Sequence, residues 1–317
     1  MPCCFANPYH RSWVIECVPN FSEGRDPATV RAIVDAIASV PGVLLLGWES
    51  DVDHNRSVVT FAGEVDAVVE GAVRGAGKAA GLIDLNLHQG VHPRVGAADV
   101  IPFVPLAGNS MEDCIAAANR AGQEIWRRFG IPVYFYESAA RTENRRPLQN
   151  VRRAGFDGSP PDIGDVASHP TAGASVVGAR GFLIAYNVNL SGGGPGGGPG
   201  GVPDSSPETS QRIAREIAGK IRESSGGFRF VKALGMYLPS RHCPQVSLNL
   251  TNFAGTPLDL LYQTIAEEAA RLRAPVQSSQ LVGFTPRRAF EMAPKFFEHA
   301  ENFDDRRVIE TRIATMK

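Results

Sequence analysis

Short apolar, β-branched runs alternate along the chain with longer amphipathic stretches. The runs WVIECV (13–18), VLLLGW (43–48), SVVTFA (57–62), VIPFVPL (100–106) and IPVYFY (131–136) predict strands, and the stretches 28–39, 64–82 and 111–129 predict helices. The theme returns in the second half, with a strand over 182–189 (FLIAYNVN), a helix over 208–223, strands over 228–238 and 245–251, a helix over 257–272 and a last strand-helix pair. Paired β-β steps, such as 43–48 into 57–62, point to mixed sheets rather than one all-parallel sheet. The expected class is α/β (α+β), with two similar ferredoxin-like βαββαβ subdomains built on mixed sheets. The first spans 1–180 and the second 181–317.

Composition modifies this picture at one place. With 33 Gly and 23 Pro in 317 residues, attention falls on SGGGPGGGPGGVPDSSP at 191–207, between a good strand and a good helix. Gly192, Gly194 and Gly197 satisfy G-x-G-x-x-G, but that fingerprint must run directly into a helix, and Pro195, Pro199 and Pro203 delay one. No G-K-[ST] follows, so the tract reads as a flexible insertion in the second subdomain. The charge balance of 32 Lys+Arg against 33 Asp+Glu disfavours a nucleic-acid or anionic-membrane binder. The N-terminus lacks the apolar run of a secretory signal and no window approaches a membrane span, so a cytoplasmic protein is expected. Five scattered cysteines without a C-x-x-C pair suggest neither a disulfide framework nor a zinc ribbon.

Two polar clusters carry candidate chemistry. In Glu49-Ser-Asp51-Val-Asp53-His54-Asn55-Arg56 a strand opens into charged groups. The D-x-D-x-N start imitates a calcium loop, yet Arg56 stands where the turn glycine is needed and Ala62 where the bidentate Glu belongs. This leaves a strand-to-strand loop, either solvated or facing a ligand. In His88-Gln-Gly90-Val-His92-Pro93-Arg94-Val-Gly96 the H-x-x-x-H spacing would chelate a metal on a helix, but Gly90 and Pro93 break one, and a third ligand would have to come from Asp99 or farther away. Pro93 instead biases His92 towards extended backbone, so that His92 and Arg94 project to one side. A group titrating near neutrality then stands beside a fixed cation, an arrangement suited to acid-base chemistry on a carboxylate-bearing substrate.

Taken together, CVPNFSEGR (17–25), DVDHNRSVVTFAG (51–63), HQGVHPRVGAADVIPFVPL (88–106), ARGFLIAYNVNL (179–190), VKALGMYL (231–238), QVSLNLTNF (245–253) and SSQLVGFTP (278–286) resemble the glutamate formiminotransferase family, from about residue 13 to 300. The resemblance implies transfer of the formimino group of N-formimino-L-glutamate to tetrahydrofolate, in histidine degradation, by a homodimer that needs no metal. It implies the single-function form, without the cyclodeaminase domain found fused in some members. His92 is implied as the catalytic residue, assisted by an acid that falls at Glu49, where the family usually has Asp; Asp51 and Asp53 are alternatives.

Folate contacts are implied for Gly164, Asp165, Val166, Ala167, Ser168, His169, Pro170, Thr171, Ala172 and Gly173. A second set is implied for Gly226, Gly227, Phe228, Arg229, Phe230, Val231, Lys232, Ala233, Leu234 and Gly235, in which Arg229 or Lys232 would meet the glutamyl carboxylates of the folate tail. Asn20, Arg56, Arg94 and Arg180 are candidates for holding substrate. The resemblance predicts a short connection where this chain carries the 191–207 tract. Two other readings stand beside this one: a folate-binding protein of the same fold without turnover, and a metal-dependent formiminoglutamate hydrolase using His88, His92 and Asp99.

Overall fold

The computed structural model describes residues 14–106, 108–153, 160–191 and 206–316. The Gly/Pro tract falls almost wholly outside the described residues, as do His10, Cys3 and Cys4. The chain divides into two compact units. Of the described residues, one holds those up to Leu45 with those of Val59–His88 and Arg94–Arg180; the other holds Leu46–Val58, Gln89–Pro93 and those from Gly181 onward. Segments 46–58 and 89–93, N-terminal in sequence, thus group with the C-terminal unit.

Elements of the N-terminal part are β1 (Ile15–Cys17), β2 (Asn20–Phe21), α1 (Pro27–Ala38), β3 (Val43–Asp51), β4 (Arg56–Gly63), α2 (Val65–Leu82), β5 (Ala98–Pro105), α3 (Met111–Phe129), β6 (Val133–Glu137), α4 (Leu148–Arg153) and β7 (Ser175–Ala179). β1 pairs antiparallel with both β4 and β5, and β3 lies outside β4, which is a ferredoxin-like order. Beyond β5, the strands β7 and β6 add in parallel and make the sheet mixed. Helix α1 starts where Asp26 accepts from the amides of Ala28 and Thr29 with Pro27 just inside, and buries Val30, Ile33, Val34 and Ile37 along one stripe. A Ser110–Asp113 capping box opens α3, and Gly130 in the left-handed region closes it.

The C-terminal unit contains β8 (Ile184–Leu190), α5 (Pro207–Ile221), β9 (Val231–Leu238), β10 (Cys243–Leu250), α6 (Leu258–Arg271), β11 (Val276–Val282), α7 (Arg287–Met292), α8 (Pro294–Glu298) and α9 (Ile309–Ala314). Its four-stranded sheet runs β11-β8-β10-β9, the order of a βαββαβ unit. Every pairing in it is antiparallel, so the mixed sheet expected here is corrected: among the described residues, no parallel strand is added to the four. The strand expected from 228 starts at Val231, because Phe230 takes a φ of 64° and its amide is bound by the Glu223 carboxylate. One face of the sheet sends Val188, Val231, Ala233, Val246 and Leu248 into a core with Ile213, Ile217, Leu261 and Ile265 of α5 and α6. Burying each larger aliphatic there contributes about 1.5–3 kcal/mol. The opposite face carries Asn187, Asn189, Gln245 and Ser247 in cross-strand register.

Cys17, Cys114 and Cys243 are buried and unbridged, and burial pushes all three thiols up, which makes them poor nucleophiles. Among the described residues, no helix is long and apolar enough to cross a membrane.

Candidate active site

In the C-terminal unit, loop 51–55 forms a bed for segment 89–93. Asp51 Oδ1 accepts from the amides of Asp53 (2.9 Å) and His54 (2.8 Å), an Asx-type turn that lets Asn55 close the loop at a φ of 46°. Asn55 Nδ2 then donates to the Gln89 carbonyl at 2.9 Å, and the Val91 amide donates to the Asp53 carbonyl at 3.1 Å. Between these two bonds Gly90 lies directly on the His54 carbonyl, where a Cβ would come within 2.4 Å of the oxygen. Because backbone meets backbone, no side chain can yield. Gly90→Ala is therefore expected to lift the segment bearing His92 and to lower kcat by roughly 10- to 100-fold, the cost of misplacing a reacting group by about 1 Å. The steady-state rate, read beside a thermal melt, checks this; native turnover would show that the docking is dispensable.

His92 follows on the same segment. Its Nδ1 lies 2.8 Å from the carbonyl of Pro93, and since a carbonyl only accepts, Nδ1 carries the hydrogen and a neutral ring presents its lone pair at Nε2. The His54 ring is 5.7 Å away, centroid to centroid, tilted by 33°. His54 is buried, and its Nε2 donates to Gln245 Oε1 at 3.0 Å. Gln245 Nε2 donates onward to Asn189 Oδ1 (2.9 Å), and Asn189 Nδ2 to Ser278 Oγ (3.0 Å). Burial lowers the pKa of His54 below the ordinary histidine value and outweighs the opposing pull of Asp51.

All three candidate carboxylates are engaged. Glu49 accepts from the Gly283 amide at 3.0 Å through one oxygen and pairs with Arg307 through the other. Asp53 accepts from the Ser240 amide (3.0 Å) and hydroxyl (2.5 Å). Asp51 also faces Arg241 at 3.9 Å. Arg56, at the start of β4, adds a positive field at His54. In segment 226–235 the Arg229 guanidinium stacks on Phe230 at 4.8 Å. Lys232 and Leu234 point away from the helices, whereas Gly235 faces α5 so closely that a Cβ would meet the Ala214 backbone at 2.2 Å.

The N-terminal unit holds the remaining candidates. Arg94 Nη2 donates to the His88 carbonyl at 2.7 Å. Asp99 is completely buried, accepting from the Val95 amide at 2.7 Å and from Arg152 Nη2 at 2.6 Å. Both its oxygens thus fix the chain that follows the H-P-R string. Among the described residues, no group of three or more His, Cys, Asp or Glu is arranged to hold a metal. In segment 164–173, residues 165–168 are exposed, and His169 Nδ1 gathers the amides of Thr171 (3.3 Å) and Ala172 (3.1 Å) into a turn that Gly173 completes at a φ of 68°. Asn20 donates to the Val18 carbonyl at 2.9 Å. Arg180 lies beside Tyr136, whose hydroxyl burial pushes up to about 12.

Sequence reasoning assigned no role to Gln245, Asn189 or Ser278. The available signal was the alternation in QVSLNL and NVN, which puts amides on the sheet face away from the helices.

A model of the formiminotransferase domain's N-terminal subdomain matches residues 14–180, and a model of the formiminotransferase domain matches residues 202–316. A glutamate formimidoyltransferase from Thermoplasma acidophilum is 40% identical over 311 residues, covering 95% of this chain and 97% of that protein. Another from Streptococcus pyogenes serotype M1 is 37% identical over 300 residues, covering 92% and 95%. A formimidoyltransferase-cyclodeaminase from Gallus gallus is 41% identical over 293 residues, covering 90% of this chain and 52% of that longer protein.

Proposed function

The chain belongs to the formiminotransferase family and acts as a glutamate formimidoyltransferase, and we propose that it passes the formimino group of N-formimino-L-glutamate to N5 of tetrahydrofolate with His92 as the proton carrier. N5 attacks the amidine carbon and forms a tetrahedral centre bearing three nitrogens. The proton of the attacking nitrogen goes to His92 Nε2, and the imidazolium returns one to the glutamate nitrogen as its bond to carbon breaks. The observation that carries this reading is the Nδ1–H of His92 on the Pro93 carbonyl, which leaves Nε2 as the basic atom. Glu49, held by the Gly283 amide and by Arg307, is the assisting acid of this reading.

Tetrahydrofolate binds along 164–173 and 226–235, with Lys232 or Arg229 meeting its tail carboxylates, and Asn20, Arg56, Arg94 and Arg180 hold the substrates. A homodimer in the cytoplasm belongs to the same reading, as does independence of metal. The test is glutamate release from N-formimino-L-glutamate by chelator-treated protein, with and without tetrahydrofolate. Release that needs tetrahydrofolate and survives chelation is expected. Folate-independent release lost on chelation would favour the hydrolase, and folate binding with no release would favour the binding protein. Lys232→Ala should weaken tetrahydrofolate binding by about tenfold, the worth of one charge-assisted hydrogen bond; unchanged affinity would remove Lys232 from the site.

A further inference from the structure

We infer that His54 is a positioning residue for His92: its ring, anchored by the carboxamide of Gln245 rather than by a carboxylate, seats the His92 imidazole. The inference rests on His92 as the proton carrier proposed above. His54 meets the His92 segment twice, through its carbonyl under Gly90 and through its ring at 5.7 Å from that of His92. Its own place is fixed at both ends, by Asp51 Oδ1 on its amide and by Gln245 on its Nε2. Gln245 is completely buried, and its direction is set in turn by Asn189 and Ser278. Four side chains in series therefore determine where one ring lies.

The charge of that ring matters because of what its neighbour does. A base that alternates between imidazole and imidazolium is weakened by a cation beside it. At 5.7 Å, a unit charge would shift His92 by about half to two pH units across the range of effective dielectric between water and a protein surface. Gln245 offers His54 an acceptor without a negative charge, so the hydrogen bond fixes the ring without making an ion of it. Among the described residues, Asp51 and Asp53 on its own loop and Arg56 on β4 act on His54, His92 lies beside its ring, and Arg241 in the β9–β10 turn reaches Asp51. Asp53 is satisfied by Ser240, and Asp51 by loop amides and Arg241. Burial then prevails and biases His54 towards its neutral form.

The test follows the imidazole ¹⁵N and ¹H signals of both histidines against pH, with kcat/KM profiles on the same proteins. In the unmodified protein His54 should keep the neutral Nε2–H form at pH 7, and an imidazolium signal there would overturn the inference without any variant. In Gln245→Glu, His54 should titrate at higher pH while His92 moves down by about half to one unit, its new neighbour being a cation backed by a more distant anion. Adding His54→Asn should abolish that fall. A His92 titration that does not move, or moves up, in Gln245→Glu refutes the coupling. If His92 moves but the acidic limb of kcat/KM does not, the coupling stands and the proton-carrier reading of His92 falls.

Discussion

Replacing His92 with alanine is expected to lower kcat for glutamate release by about 10²–10⁴-fold, the usual worth of a positioned acid-base group, and to leave tetrahydrofolate affinity nearly unchanged. In the proposed mechanism both proton transfers pass through one nitrogen, so without it the tetrahedral centre would have to lose and gain protons through water. Folding should be little affected. The His92 ring is only partly buried, and it hydrogen-bonds the carbonyl of the exposed Pro93, which water can serve in its absence. Single-turnover rates, a folate titration and a thermal melt on the same variant separate the possibilities. Partial rescue by added imidazole would support a lost base. Equal loss of rate and affinity would instead mean that His92 holds the loop or the folate.

Much of the fold was legible because its helices and strands carry one-sided patterns. The helix expected over 111–129 is α3, and those expected over 28–39 and 64–82 differ from α1 and α2 by one residue at their ends. β7, the small-residue run SVVGA, was not anticipated, and neither was the two-residue β2, too short for any period to show. The absence of parallel strands from the second sheet could not be foreseen either, since pairing direction is set by partners distant in sequence.

The site was legible as motifs and not as contacts. The H-P-R string drew attention to His92, but the bonds that define its surroundings join residues far apart: Gln245 is 191 positions from His54, and Arg307 is 258 from Glu49. Periodicity carries no information at such separations. Nor did the chain's order suggest that segments 46–58 and 89–93 group with the C-terminal unit, which is why His54 was left without a role. His169 shows the opposite hazard: in a segment marked by resemblance for folate, its Nδ1 organises the local turn.

Gly235 presents the same ambiguity in its strongest form, and Gly235→Ala should resolve it with a large effect. The resemblance implies this glycine as a folate contact. In the structure its missing side chain faces α5, where a Cβ would lie 2.2 Å from the Ala214 carbonyl carbon and the Arg215 amide nitrogen and 2.3 Å from the Ala214 oxygen. Each of these atoms is backbone in the middle of a helix, so relief requires α5 to move from the sheet as a body. Such a shift would loosen Ile213 and Ile217 from Val231 and Ala233 across the core they share. Overpacking against yielding side chains costs about 1–3 kcal/mol, and a contact that cannot yield should reach roughly 3–5 kcal/mol, in the range reserved for severe core defects. Urea unfolding of the C-terminal unit should therefore show a much lower midpoint, while folate affinity, measured where the variant is still folded, stays close to that of the parent. An unchanged midpoint with a lost affinity would give Gly235 back to the ligand.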